Sequence, residues 1–158
     1  MERTNTLIIG AGQAGLAMSH CLSELGIDHV VIERGKVAQR WRTQSWDSLH
    51  LLTPNWMTRL PGFQYDGPNP DGFMSVPELI AFFERYAGSS DAPVVTDTAV
   101  QSVERSTTGF RVVTSRGEWS ASSVVVATGY CDLPAIPPES RNVAPSVLQI
   151  AAPDYRRP

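Results

Sequence analysis

Three glycines and one acid are the residues whose spacing implies chemistry most directly. Gly10, Gly12 and Gly15 stand in "GAGQAG" as GxGxxG, and Glu33 closes the run "HVVIE". In that spacing Gly10 serves a tight turn, Gly12 lets the backbone approach a pyrophosphate, and Gly15 allows a helix to pack closely on a strand. The amides that open the helix then face the phosphates. A carboxylate at the end of the second strand accepts hydrogen bonds from ribose hydroxyls and repels a 2′-phosphate. NADP is therefore disfavoured at this site, while FAD and NAD both remain open.

Other reactive side chains form no second constellation. His20, His29 and His50 have neither ligand nor triad spacing; His20 is expected on a helix surface and His29 at a strand start. Asp47, Asp66 and Asp71 fall in loops and turns rather than as paired acid-base groups, and no metal site is expected. Cys21 and Cys131 are far apart, which excludes a CxxC pair and fits a reducing, cytoplasmic setting. Thirteen basic and sixteen acidic residues leave a net charge of -3 with no basic block, so a nucleic-acid partner is not expected. No apolar run reaches bilayer-spanning length, and no membrane partner is expected.

The elements that must position these residues follow from hydrophobic periodicity. Leu7-Ile8-Ile9 is a continuous apolar run that predicts a strand buried on both faces, as in a parallel sheet. Ala14, Met18, Cys21, Leu22 and Leu25 recur at helical spacing, and Gly26 ends that helix. His29 to Glu33 predicts a second strand, completing a βαβ unit with a right-handed crossover. Residues 35–72 lose periodicity, and a stretch of that length is more often functional than idle. "SVPELIAFFERYA" predicts a helix capped by Ser75 and Glu78, with Leu79, Phe82, Phe83 and Tyr86 as its apolar stripe. Beyond Ala92 the pattern is β: a short strand at Val94 to Thr96, then three alternating stretches over residues 98–105, 110–115 and 118–121 that suggest an antiparallel meander. Val124 to Thr128 reads as a further buried strand closed by Gly129. The tail from Leu133 is Pro-rich and irregular.

Four motifs in this order, "LIIGAGQAGLAMSHCL", "VVIER", "RWRTQSWDSLHLLTP" and "VVVATGYCDLPAIP", resemble the FAD half of flavin-dependent monooxygenases. The resemblance extends to the flavin-containing, Baeyer-Villiger and plant auxin-forming types and to bacterial flavoproteins related to them, and it covers nearly the whole chain. It implies FAD as cofactor and an α/β fold: a Rossmann-like FAD-binding domain with a parallel sheet, plus the antiparallel meander, incomplete at the C-terminus.

By the same resemblance Gly10, Gly12, Gln13, Ala14 and Gly15 line the pyrophosphate, and Glu33, with Arg34 beside it, holds the ribose. Arg40 and Trp41 match the position beside the flavin, and Leu52 and Thr53 the segment near its ring. Trp41 would then supply a dry wall and Thr53 a hydroxyl, although Trp41, like Trp46 and Trp56, also fits the part of a loop anchor. Ala127, Thr128 and Gly129 match the strand end that approaches the cofactor, and Val100 a strand whose backbone meets the adenine.

The resembled enzymes act through a flavin hydroperoxide and use NADPH, molecular oxygen and a small-molecule substrate. Their second glycine fingerprint has no counterpart here, since no glycine follows Gly129. Their linker motif is matched by Tyr155, Arg156 and Pro158 in "VLQIAAPDYRRP", with Ala151 where a histidine is expected. The expectation is thus residues 1–132 as the N-terminal portion of an FAD-binding domain and residues 133–158 as a linker toward an absent NADPH-binding domain, with no turnover by the fragment alone. An NAD-binding Rossmann oxidoreductase and a non-catalytic remnant or interaction module stand as alternatives.

Overall fold

A computed structural model describes residues 1–129 and 133–157. Tyr130, Cys131, Asp132 and Pro158 lie outside the described residues, and with them the middle of the "VVVATGYCDLPAIP" motif, the expected domain boundary and the last position of the linker match. In chain order the elements are β1 (Glu2–Ile9), α1 (Gln13–Glu24), β2 (His29–Ile32), α2 (Gln39–Thr43), β3 (Arg59–Leu60), β4 (Phe63–Gln64), α3 (Val76–Ser89), β5 (Val94–Val95), β6 (Val100–Ser106), β7 (Gly109–Thr114) and β8 (Gly117–Val126). Short 3-10 turns fall at Asn55–Met57, Pro138–Asn142 and Ala152–Asp154.

One six-stranded sheet runs in the order β5-β2-β1-β8-β7-β6, and β3 with β4 forms a separate small hairpin. Strands β5, β2, β1 and β8 run parallel to one another, whereas β7 is antiparallel to both β8 and β6. The expected parallel sheet and the expected meander are therefore continuous. The stretches read separately as 118–121 and 124–128 join in one strand, β8, which ends at Val126; its first half pairs with β7, and from Trp119 onward it runs beside β1. Ser122 and Ser123 carry no apolar alternation across the join, so periodicity broke the strand where hydrogen bonding does not.

Leu7 and Ile8, adjacent in β1 and therefore on opposite faces, are both fully buried and belong to different clusters. Ile8 and Val31 pack with Leu16 of α1 and Phe82 and Tyr86 of α3, while Leu7, Val30 and Ile32 meet Val112 and Ala121 from the meander half. The predicted two-sided burial of the first strand is found.

Helix α3 follows its sequence closely. Leu79, Phe82, Phe83 and Tyr86 are its buried residues, and the Ser75 N–H and Oγ–H donate to Glu78 Oε2 at 2.8 and 2.7 Å. The Tyr86 hydroxyl donates to Pro61 O at 3.0 Å, and burial pushes its phenol up to about 12, so it remains a neutral donor. Helix α1 departs from expectation. Its buried residues are Gly15, Leu16 and Ser19, while Met18 and Leu25 are exposed. The close approach at Gly15 sets the phase of this helix, and the apolar stripe beginning at Ala14 does not. His20 is not a plain surface residue, because its ring lies 5.7 Å from that of Tyr86. His29 sits at the start of β2 as expected and also holds α1, with Nε2 at 2.8 Å from Ser19 Oγ. Among the described residues no helix is long and apolar enough to cross a membrane.

Phe82→Ala should lower unfolding stability by about 3–5 kcal/mol in a denaturant titration, because the ring is fully buried against Phe63 and Phe83. Hydrogen bonds from Ser75 hold the Glu78 carboxyl below its ordinary value of 4.5. Its folded value is the depressed one, so the capping contribution is complete above that ordinary value and is lost as pH falls through the folded one. Glu78→Gln should therefore lower the melting temperature more at neutral pH than below about 4.5, where the parent has lost the contribution, and so flatten the acid limb of melting temperature against pH.

Candidate functional site

The glycine turn lies between the C-terminal ends of β1 and β8, where α1 begins. The three glycines face different constraints. Gly10 has φ +107°, and a Cβ built on it would lie 2.7 Å from Ala127 O; a Cβ on Gly15 would lie 1.8 Å from Gly10 O. Both are required by the chain itself. A Cβ on Gly12 meets nothing within 4 Å. The space over Gly12 is open, so the polypeptide itself does not require a glycine there. Gly12 is also the N-cap of α1, with no side-chain cap and no acid in the first turn, which leaves the positive helix end for an anion.

The Ala11 peptide joins this turn to the acid and to the next helix. Its N–H donates to Glu33 Oε2 at 2.8 Å, and its carbonyl accepts from the Ala38 N–H at 3.0 Å. The other Glu33 oxygen accepts from the Gly35 N–H at 3.0 Å, and the residue is 7% exposed. Two backbone donors thus fix the carboxylate beside the turn. Glu33 O also accepts from the Thr98 N–H, two residues before Val100, which opens β6 and packs against the second core cluster. Val100 is thereby placed on the Glu33 side of the sheet, and Arg34 is exposed next to the acid.

Ala38 adopts a left-handed conformation, φ 59°, and starts α2 directly from the Ala11 contact. That places Arg40 and Trp41 alongside the turn. Arg40 reaches the other strand end: a Cβ on Gly129, where φ is +76°, would lie 3.5 Å from Arg40 Nη1. Ala127 packs on Gly10 from the same strand end, and Thr128 is exposed. A small cavity of about 150 Å³ brings together Gln13, Trp41 and Thr53 with the wall Met57 to Leu60 and α3 residues Leu79 and Phe82. Leu52 is not brought in; it is 94% exposed. Ala14 is exposed on the first turn of α1. His50 binds locally, with Nδ1 at 3.1 Å from Ser48 O.

A second, larger cavity of about 910 Å³ lies between α2 and the tail, bounded by Arg40, Gln44 and Trp46 on one side and by residues 133–137 and 149–153 on the other. Among the described residues no group of three His, Cys, Asp or Glu side chains is placed to hold a metal ion.

Sequence reasoning missed Ala11, Gly35 and Ala38, because their contributions are backbone groups. It also missed the Met57 to Leu60 wall, because hairpin and 3-10 turn segments two or three residues long carry no periodicity.

Residues 7–143 match the protein family described as pyridine nucleotide-disulphide oxidoreductase. A CzcO-like oxidoreductase of Geobacillus kaustophilus is 35% identical over 155 residues, 98% of this chain and 44% of that protein. An indole-3-pyruvate monooxygenase of Arabidopsis thaliana is 33% identical over 141 residues, 85% of this chain and 34% of that protein. The solved flavin-containing monooxygenase of Stenotrophomonas maltophilia superposes with a TM-score of 0.77 at 28% identity, over 87% of this chain and 42% of that one. The chain therefore spans less than half the length of these relatives.

Gly15→Ala and Gly12→Ala should separate the two glycine constraints. The first, with its Cβ pressed on Gly10 O, should lose about 1–3 kcal/mol or more through overpacking, whereas the second should unfold within about 1 kcal/mol of the parent. Denaturant melts of both variants measure the difference, and equal losses would contradict the assignment.

Proposed function

The chain belongs to the pyridine nucleotide-disulphide oxidoreductase family, and on that premise we propose that it is the FAD-binding part of a flavoprotein oxidoreductase of the monooxygenase type. The observation that carries this reading is the contrast among the three glycines: Gly10 and Gly15 are crowded by protein, and only Gly12 opens onto empty space at an uncapped helix end. A diphosphate fits that space, and the fixed Glu33 carboxylate beside it suits ribose hydroxyls.

The residues present fit the remainder of FAD as well. Gln13, Trp41 and Thr53 border one cavity next to the turn, and the Arg40 guanidinium lies beside Gly129. In this arrangement Glu33 holds the ribose, the α1 amides hold the diphosphate, and Trp41 and Thr53 give the ring an apolar wall and a hydroxyl. Val100 lies toward the adenine end. FAD, when bound, supplies hydride acceptance and reactivity toward oxygen. The protein's part is to bind and orient it and to exclude water around its ring.

The relatives named as monooxygenases support oxygen as co-substrate and a small organic molecule as substrate, and the family's description supports a nicotinamide dinucleotide as reductant. In this reading the reductant binds outside the 158 residues, which are the flavin-holding part of a longer enzyme and do not turn over alone. The proposed setting is the cytoplasm, which suits the exposed free thiol of Cys21.

Calorimetric titration with FAD and with NAD tests the reading. FAD is expected to bind the tighter of the two and to leave the protein yellow; tighter binding of NAD, or a folded protein indifferent to FAD, would overturn it. Gly12→Val should keep the far-ultraviolet circular dichroism of the parent while FAD affinity falls by at least about 100-fold, since a branched side chain fills the diphosphate space.

A further inference from the structure

We infer that Arg156 is a positioning residue for the flavin site, acting through α2, so that the placement of Arg40 and Trp41 depends on the tail that leaves the domain. The inference rests on the FAD reading above.

Helix α2 is five residues long, has no buried residue and has no side-chain cap at its N-terminus. A helix that short does not persist by its own hydrogen bonds. Three tethers hold it. At its start the Ala38 N–H is bonded to Ala11 O. In the middle, Arg42 donates from Nε to Val37 O at 2.9 Å and from Nη2 to Glu84 of α3 at 2.5 Å. At its C-terminal end the tether is the tail: the Arg156 guanidinium donates to Thr43 O and, at 3.2 Å, to Ser45 O, while the Asp47 N–H returns a bond to Arg156 O at 2.9 Å. The ring of Tyr155 lies 6.5 Å from that of Trp46 beside this contact.

The chemistry of the pairing is specific. The carbonyls at a helix C-terminus form its negative end, and a planar guanidinium can donate to two of them at once with its charge matched to that end. Arg156 is separated from these carbonyls by 111 and 113 residues, so the contact is tertiary. The last bond inside α2, from the Gln44 N–H to Arg40 O at 2.9 Å, ends on the residue that borders Gly129. Tail residues 149–153 also form one wall of the large cavity whose other wall carries Arg40 and Gln44. Motion of the tail is therefore transmitted to the flavin side of α2 through two adjoining contacts.

The test compares Arg156→Met, which keeps the apolar stem and removes every donor, with Arg156→Lys, which restores a charge without the fork. In the flavin-free 158-residue protein, hydrogen exchange at the Gln44 and Asp47 amides should be at least about 10-fold faster in the methionine variant, intermediate in the lysine variant, and unchanged within α3. In FAD titrations the methionine variant should bind about 10-fold more weakly, with an altered visible circular dichroism of the bound flavin, and lysine should rescue part of both. Unchanged exchange overturns the tether. Faster exchange with the parent's FAD affinity and flavin spectrum overturns the positioning role. A parent protein that takes up no FAD overturns the flavin reading, and the positioning role with it, whereas the exchange comparison still decides the tether by itself.

Discussion

The site hangs on a single buried residue, Ala11. Its backbone N–H and carbonyl are shared between the acid that follows β2 and the first residue before α2, so the glycine turn, Glu33 and α2 are all referenced to one residue's backbone. Ala11 can occupy its position only because Gly10 turns with a positive φ against Ala127 and because Gly15 presents no Cβ to the Gly10 carbonyl. Each hydrogen bond contributes about 1 kcal/mol, or somewhat more where the acceptor is charged. The geometric coupling matters more than the sum: a shift of Ala11 displaces Glu33 and the start of α2 together.

Helix α3 carries out the second positioning task, from below. Phe82 and Tyr86 receive Phe63 of the small hairpin at centroid distances of 5.0 and 5.4 Å, and Tyr86 binds the carbonyl of Pro61 in its turn. Glu84, on the exposed side, reaches Arg42 of α2. The segment with Thr53 and the Met57 to Leu60 wall therefore has little regular structure of its own and is shaped by the helix beneath it. Long aperiodic segments keep a defined form when an ordered element supplies the apolar surface that they lack.

What the sequence disclosed depended on whether a side chain or a backbone group did the positioning. The βαβ unit, the acid that follows β2, the α3 stripe and its capping box were legible because each rests on side-chain type at a fixed spacing. The division of labour among the glycines was not, since Gly10, Gly12 and Gly15 look alike until their neighbours are in place. The buried face of α1 was misread because a close backbone contact at Gly15 outweighed a loose apolar repeat through Ala14 and Met18. The left-handed Ala38 leaves no mark in the sequence, and the unity of β8 was hidden by serines at a join where main-chain pairing continues.

The pairing of β1 with β8 also has a bearing on how the molecule comes into being. Glu2 to Ile9 lies beside Trp119 to Val126, so the central seam of the sheet unites nearly the first and nearly the last strand residues. Contacts of such sequence separation carry a large loop-closure cost and slow the approach to the native state. On the ribosome, β1 and β2 emerge long before the strand that completes their other side, and the end of β1 that seats the glycine turn stays half-assembled until then. The glycine turn should therefore be completed late and all at once, because Ala127, which closes against Gly10, follows β8 directly.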